Sequence, residues 1–165
     1  MKLILMRHAE AEESDLLRYK DDALRPLTRN GVETQRILAR GLKRMGLAPD
    51  RIVTSPKLRA RQTAEITAKA LGLEDVLTEN PGLGEAYSLK AALILLAECQ
   101  VHETLLWVGH EPDLSELASA LLARQGFNLK FVKSGVLGIK FSGGARLGMG
   151  SLIYFYRPQD VLALL

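Results

Sequence analysis

Two histidines in this 165-residue sequence directly follow short apolar segments. His8 comes after Arg7 at the end of the run over residues 3–6, and His110 comes after Gly109 at the end of a second run. The apolar residues of both runs do not alternate with polar ones, which is typical of a strand buried on both faces of a sheet. Such sheets bind ligands beyond the carboxyl ends of their strands. We therefore expect the two imidazoles to lie at one edge of a sheet.

Two arginines accompany these histidines. Arg7 stands next to His8, and Arg59 follows a third short strand, predicted over residues 51–54. Ser55-Pro56 is a typical helix start, with serine as the cap, and it would place Arg59 in the first turn, where the helix dipole adds positive charge. Guanidinium groups match phosphate oxygens in a bidentate fork, and a histidine can be the nucleophile. The residue types therefore predict a phosphate site.

The segments between these strands have the spacing of helices that cover a sheet. Thr28 can cap a helix over residues 30–45, and Ser88 can cap another. Asp113 with Glu116 forms a capping-box pattern before a regular leucine stripe. Strands alternating with helices predict an α/β domain with a mostly parallel sheet.

The C-terminal part of the chain is richer in β-forming residues. Residues 127–141 and 151–156, separated by Gly143-Gly144, predict a hairpin at one edge of the sheet. Lys133 in this part either faces the anion or protects a sheet edge. Because no repeat or linker interrupts the chain, residues 1–165 are expected to form a single domain.

Composition excludes several classes of function. The net charge of +3 comes from interleaved acidic and basic residues, with no Lys/Arg run that would indicate a nucleic-acid surface. Cys99 is the only cysteine, which excludes a disulfide framework and a thiolate metal site. The first apolar run is too short for a signal peptide or a membrane span, so a cytoplasmic location without membrane contact is expected.

Three stretches carry a family resemblance. LMRHAEAE, TSPKLRARQTAE and VGHEPDL, in this order, resemble the motifs of the histidine phosphatase superfamily. The short chain, the alanine after His8, the RPLT sequence at Arg25–Thr28 and the histidine of GHEPDL are similar to the SixA-type phosphohistidine phosphatases. The resemblance implies a three-layer α/β/α sandwich with a mostly parallel mixed sheet, as in the phosphoglycerate mutase-like fold.

The resemblance also implies roles for the site residues. His8 attacks phosphorus and carries the phosphoryl group as a covalent intermediate, while Arg7, Arg59 and His110 surround the phosphoryl oxygens. Arg25 matches an arginine that the SixA branch places near the same anion. The chemistry needs no cofactor and no metal, because phosphoryl transfer is mostly positioning and electrostatic stabilisation.

The general acid is where the chain departs from the superfamily pattern. Phosphomonoesterases and mutases of the superfamily use a glutamate after the third strand, and here Glu85 in GLGEAYS is the only nearby candidate, in a context that does not match. A phosphoramidate needs less help from an acid than an ester, because its P–N bond is labile. The expected substrate is therefore phosphohistidine on a signalling or phosphotransfer protein.

Other functions stay open at this point. One is a broad-specificity phosphomonoesterase or mutase that acts on small phosphate esters with Glu85 as the acid. Another is a non-catalytic phosphate-binding module, which would keep the arginines without needing His8. A metal hydrolase is disfavoured, because two arginines would repel a divalent cation and the sequence has no HExxH or HxH spacing.

Overall fold

The chain forms one mixed sheet between two layers of helices. A computed structural model describes residues 1–15 and 17–163. The strands are β1 (Lys2–Arg7), β2 (Arg51–Thr54), β3 (Leu77–Glu79), β4 (Thr104–Gly109), β5 (Val136–Lys140) and β6 (Ser151–Tyr156). The α-helices are α1 (Arg29–Arg44), α2 (Leu58–Leu71), α3 (Leu89–Ala97), α4 (Asp113–Leu122) and α5 (Pro158–Leu162). Short 3₁₀ helices cover Asp22–Leu24, Glu74–Val76 and Pro81–Leu83.

The described strands are ordered β3-β2-β4-β1-β5-β6 in the sheet. β1, β2, β3 and β4 run parallel to one another, while β5 pairs antiparallel with both β1 and β6. The predicted mostly parallel mixed sheet is therefore confirmed.

Alternate residues of β1 enter two different cores. Leu3 and Leu5 pack with residues of α3 and α4, whereas Ile4 and Met6 pack with residues of α1, α2 and α5. All four side chains have no exposed surface. This two-sided burial explains why the strand is apolar without alternation, and it confirms the three-layer α/β/α arrangement.

The register of the parallel strands brings their carboxyl ends together. Arg7 at the end of β1 lies opposite Gly109 of β4, and Thr54 at the end of β2 lies opposite Val108. The residues that follow each strand therefore emerge at the same edge of the sheet. The predicted convergence of His8, Arg59 and His110 depends on this register.

The start of α1 agrees with the sequence prediction, but the starts of α2 and α4 differ from it. Thr28 Oγ1 accepts a hydrogen bond from Gly31 N at 2.9 Å and so caps α1. α2 begins at Leu58 after an extended Lys57, so Ser55 lies two residues before the cap position and does not cap the helix. α4 begins at Asp113 itself, because Pro112 is already helical, so Asp113 lies inside the first turn and makes no capping hydrogen bond.

The C-terminal prediction is correct for the hairpin and wrong for the segment before it. β5 and β6 form the antiparallel pair, and β6 is the edge strand. Residues 127–135 are irregular, and Ser134 has a φ of 58°, which is incompatible with an extended strand. This irregular segment forms hydrogen bonds with Arg7 and His8 at the end of β1, through Phe131 O and Ser134 N. Among the described helices, none is long and apolar enough to cross a membrane.

Candidate active site

The two predicted histidines lie side by side where β1 and β4 end. The backbone N–H of His8 donates to Gly109 O at 3.1 Å, continuing the β1–β4 pairing by one residue. The rings of His8 and His110 have centroids 5.1 Å apart and are tilted by 54°. Each residue is only 7% exposed. Two nearly buried imidazoles therefore stand side by side at this edge of the sheet, in what is called the pocket below.

The tautomer of His8 follows from its hydrogen bond. His8 Nδ1 lies 2.7 Å from the carbonyl oxygen of Ala9, which can only accept, so Nδ1 carries the proton. In the neutral ring, Nε2 is then the nitrogen with a free electron pair. This is the protonation state that a histidine nucleophile needs.

The backbone around His8 is held from two sides. Ala9 N donates to Thr63 Oγ1 at 3.0 Å, and Ser134 N donates to the carbonyl oxygen of His8 at 3.2 Å. Thr63 Oγ1 in turn donates to Arg59 O at 2.7 Å, one turn earlier in α2. The segment that carries the candidate nucleophile is therefore tied to the helix that carries the candidate phosphate ligand.

A buried glutamine connects these two supports. Gln35 has no exposed surface; its amide nitrogen donates to Thr67 Oγ1 at 2.8 Å, and its amide oxygen accepts from Ser134 Oγ at 2.8 Å. Thr67 Oγ1 donates to Thr63 O at 2.8 Å. The sequence analysis did not identify this chain of hydrogen bonds. Its one signal is that Gln35 takes an inward position between Val32 and Leu38 on the apolar side of α1, where a polar residue needs a partner.

Ser55 orients His110. Its Oγ lies 2.8 Å from His110 Nε2 and accepts a weaker hydrogen bond, at 3.3 Å, from Lys57 N. The serine hydrogen has no other acceptor among the described residues, so donation to Nε2 satisfies both groups and places the ring proton of His110 on Nδ1. A residue that the sequence pattern assigned to a helix cap therefore determines the tautomer of the second imidazole.

The three predicted arginines occupy different positions. Arg7 Nη1 donates to Phe131 O at 2.7 Å, on the irregular segment before β5. Arg59 is 5% exposed and donates from both terminal nitrogens to Asp22, at 2.8 Å to its carbonyl oxygen and at 2.9 Å to its carboxylate. Arg25 donates to the other carboxylate oxygen of Asp22 at 2.9 Å and to Glu12 O at 2.6 Å. Arg25 is therefore connected to the site through Asp22.

Three buried N–H groups of this pocket have no hydrogen-bond partner in the part of the chain that the structure describes. They are Arg7 Nε, Arg59 Nε and His110 Nδ1. Buried donors are satisfied in the great majority of cases, so an unsatisfied set at one place requires an explanation. All three belong to residues that the sequence assigned to a phosphoryl group. An oxyanion is the kind of acceptor that such charged and neutral N–H donors bind.

The buried histidines are neutral near physiological pH. Burial lowers the pKa of His8 to about 4. The hydrogen bond to Ala9 acts to raise this pKa, whereas the positive charges of Arg59, Arg7 and Lys133 lower it further. Lys133 lies in the turn before β5 rather than on an edge strand, so it adds positive charge to the pocket.

His110 shows the same effect. Burial lowers its pKa to about 3, assisted by His8, Arg59 and Lys57 and opposed by Asp22. A neutral His110 has one N–H group, and Ser55 places it on the unpaired Nδ1. His110 can therefore donate to an anion while it remains neutral.

We expect the low pKa of His8 to be visible in solution. Its ring, followed by NMR and assigned with His8→Ala, should titrate with a midpoint near pH 4. Because the unfolded histidine takes up its proton near pH 6.5, the free energy of unfolding should rise with pH between about 4 and 6.5. A midpoint at the ordinary value of histidine would show that the pocket is open to water.

Glu85 lies on an exposed turn after the 3₁₀ helix Pro81–Leu83. Its carboxylate forms no ion pair and no hydrogen bond with the other described residues of the pocket. The turn itself lies close to Ser55, because a Cβ added to Gly84 would be 2.7 Å from Ser55 Oγ.

Among the described residues, no group of three or more His, Cys, Asp or Glu side chains is arranged to hold a metal ion.

Comparisons with known proteins agree with the motifs. The family model "Histidine phosphatase superfamily (branch 1)" matches residues 3–89, which include β1, β2 and α2. An uncharacterized protein of Picosynechococcus sp. is 41% identical over 89% of this chain and 88% of its own length. The phosphohistidine phosphatase SixA of Escherichia coli is 33% identical over 73% of this chain and 74% of its own length.

A solved structure resembles the whole chain. The structure of the protein histidine phosphatase SixA complexed with tungstate superposes with a TM-score of 0.81 at 25% sequence identity. The match covers 98% of this chain and 99% of that one. The likeness therefore extends over the sheet, both helical layers and the edge at which the candidate site lies.

Proposed function

The chain belongs to the histidine phosphatase superfamily and is SixA-like in sequence and structure, and on this premise we propose that it hydrolyses phosphohistidine on another protein. The observation that carries the proposal is the set of unpaired donors Arg7 Nε, Arg59 Nε and His110 Nδ1 beside a neutral His8. Such a pocket offers hydrogen bonds and positive charge to a phosphoryl group and a free electron pair to its phosphorus atom.

The proposed reaction has two steps. In the first, His8 Nε2 attacks phosphorus, the P–N bond of the substrate breaks, and the departing imidazole takes up a proton. In the second, water attacks phosphorus, the bond to His8 Nε2 breaks, and inorganic phosphate leaves. Covalent catalysis of this kind divides one difficult displacement into two easier ones.

The cations act on charge that spreads over the phosphoryl oxygens. Arg59 and Arg7 would each donate from Nε, and His110 would donate from Nδ1. These groups are held in place before the substrate arrives, by Asp22, by Phe131 O and by Ser55. Preorganised donors need no rearrangement during the reaction, which is why they are effective in transition-state stabilisation.

The leaving group favours phosphohistidine over an ester. An ester oxygen leaves poorly unless an acid protonates it, whereas imidazole leaves readily. Glu85 is exposed, and among the described residues it forms no ion pair or hydrogen bond with the histidines and arginines of the site, where a general acid would have to reach the leaving group. This arrangement supports a phosphoramidate substrate.

The rim of the pocket is suited to a protein partner. Lys57 and Lys133 add positive charge around the two histidines. Leu24, which is 59% exposed, directly precedes Arg25, and Val132, which is 42% exposed, follows Phe131, whose carbonyl oxygen accepts from Arg7. Positive charge at the entrance of the pocket, with exposed apolar side chains beside it, favours an acidic partner protein that presents its phosphohistidine on an accessible surface.

We expect phosphohistidine protein or peptide to be hydrolysed with a much higher kcat/KM than para-nitrophenyl phosphate or a phosphoglycerate. The measurement compares the three substrates in wild type and Glu85→Gln, with EDTA present throughout. Glu85→Gln should change the phosphohistidine rate by less than about threefold, because imidazole needs little help from an acid. Loss of the reaction in EDTA would show that the site needs a metal.

A phosphomonoesterase is the second candidate, favoured by the turn that carries Glu85. Because Gly84 packs against Ser55, a small shift of this turn would bring Glu85 towards His110. In that case a small phosphate ester would be the better substrate and Glu85→Gln would abolish its turnover. That pair of results would replace the phosphohistidine proposal.

A further inference from the structure

Asp22 takes one N–H group from each terminal nitrogen of Arg59, which leaves three of the five N–H groups of the guanidinium. Its Nη1 and Nη2 are both bonded to Asp22, at 2.8 Å to the carbonyl oxygen and at 2.9 Å to the carboxylate. Its Nε is buried and has no partner among the described residues. One hydrogen bond from each terminal nitrogen is therefore committed to a residue of the same chain, and the side of the guanidinium that carries Nε remains for an oxyanion.

Asp22 is held firmly in this position. It begins the 3₁₀ helix Asp22–Leu24, which Asp21 caps by accepting from Ala23 N at 2.8 Å. Its second carboxylate oxygen accepts from Arg25 Nε at 2.9 Å, and Arg25 is itself anchored to Glu12 O. Burial acts to raise the pKa of the Asp22 carboxyl, but Arg25 and Arg59 outweigh it and hold the pKa below its ordinary value.

We propose that Asp22 is a positioning residue that limits the affinity of Arg59 for the phosphate product. A free guanidinium fork holds an oxyanion with two charge-assisted hydrogen bonds, and it holds substrate, transition state and product alike. Such uniform binding does not raise kcat, and tight binding of inorganic phosphate slows its release. By accepting from both terminal nitrogens, Asp22 leaves fewer N–H groups of Arg59 for a phosphate ion.

The negative charge of Asp22 acts in the same direction. Its carboxylate bridges two arginines at the mouth of the pocket, and its side chain is 42% exposed. A dianionic product next to Arg59 is therefore repelled by a fixed charge, in a site where burial weakens screening. This inference rests on the proposed function only in that a phosphoryl group occupies the pocket; it does not depend on which molecule supplied that group.

The test compares Asp22→Asn with Asp21→Asn. Both substitutions remove one negative charge from adjacent positions, but the amide oxygen of Asp21→Asn can still cap the 3₁₀ helix. Inorganic phosphate is titrated into each protein by calorimetry, and kcat and KM are measured with the substrate that wild type hydrolyses best. Asp22→Glu is included because it restores the charge on a longer side chain.

We expect Asp22→Asn to bind inorganic phosphate about tenfold more tightly than wild type, the order expected for loss of one close repulsive charge. Its KM and kcat should both fall, because Arg59 without the Asp22 carboxylate binds the substrate more tightly and releases inorganic phosphate more slowly. Asp22→Glu should recover part of the difference, and Asp21→Asn should match wild type.

Phosphate binding that is unchanged or weaker in Asp22→Asn, with kcat reduced and KM unchanged or raised, would show a merely structural role and overturn the inference. If Asp22→Asn does not fold, Asp22→Ser is measured in its place with the same criteria. The phosphate titration needs no turnover. If phosphate affinity shifts as expected but phosphohistidine is not hydrolysed, the role of Asp22 stands and the proposed function fails. If phosphohistidine is hydrolysed but the phosphate affinity does not shift, the proposed function stands and the role of Asp22 is wrong.

Discussion

His8→Ala is expected to abolish the phosphoenzyme and to lower turnover by at least about a thousandfold, in line with the loss of a nucleophile in other covalent enzymes. The reason is geometric. Nδ1 of His8 is committed to Ala9 O, so Nε2 is its reactive atom, and His110 lacks an equivalent free nitrogen because Nε2 is bonded to Ser55. Brief reaction with a labelled substrate, followed by quenching, should trap an acid-labile and base-stable label in wild type.

The matched control is His102→Ala. His102 is exposed in a turn before β4, so it carries the same chemical change outside the pocket. We expect its turnover and labelling to equal those of wild type. Thermal unfolding of both variants separates loss of chemistry from loss of fold. A stable label that persists in His8→Ala would place the nucleophile elsewhere.

The convergence of the four candidate site residues could be predicted because each of them follows a strong local signal. β1 and β4 are apolar without alternation, since both of their faces are covered, and parallel strands end at a common edge. Arg7, His8 and His110 therefore converge through topology alone. Arg59 joins them because β2 lies beside β4 and the following helix starts at the same edge.

The residues that orient this set could not be predicted in the same way. Asp22 meets Arg59 across 37 positions of the sequence, and Ser134 meets Gln35 across 99. Such contacts depend on how elements pack and on individual rotamers, which no periodicity in the sequence reports. Ser55 shows the conflict directly, because local preference predicts a helix cap and the tertiary partner His110 takes the hydroxyl instead.

Arg59→Ala should lower kcat by about a hundredfold or more, the usual cost of removing one donor that meets the transition state. Arg59 is buried, its Nε is unpaired among the described residues, and its charge lowers the pKa of both pocket histidines. Arg59→Lys should recover little, because an ammonium group is a point charge that lacks the planar fork and has no donor at the position of Nε. Steady-state rates with phosphohistidine peptide measure both variants.

Arg61→Ala is the matched control on the same helix. Arg61 faces solvent and forms only surface ion pairs, at 3.7 Å with Glu65 and at 3.6 Å with Glu79, which contribute little to stability. We expect its kcat to stay within about twofold of wild type. Removing Arg59 leaves Asp22 paired with Arg25, so Arg59→Ala should still fold. A folded Arg59→Ala with nearly normal kcat would mean that the end of β2 does not contribute to the reaction, and the pocket would then act through β1 and β4 alone.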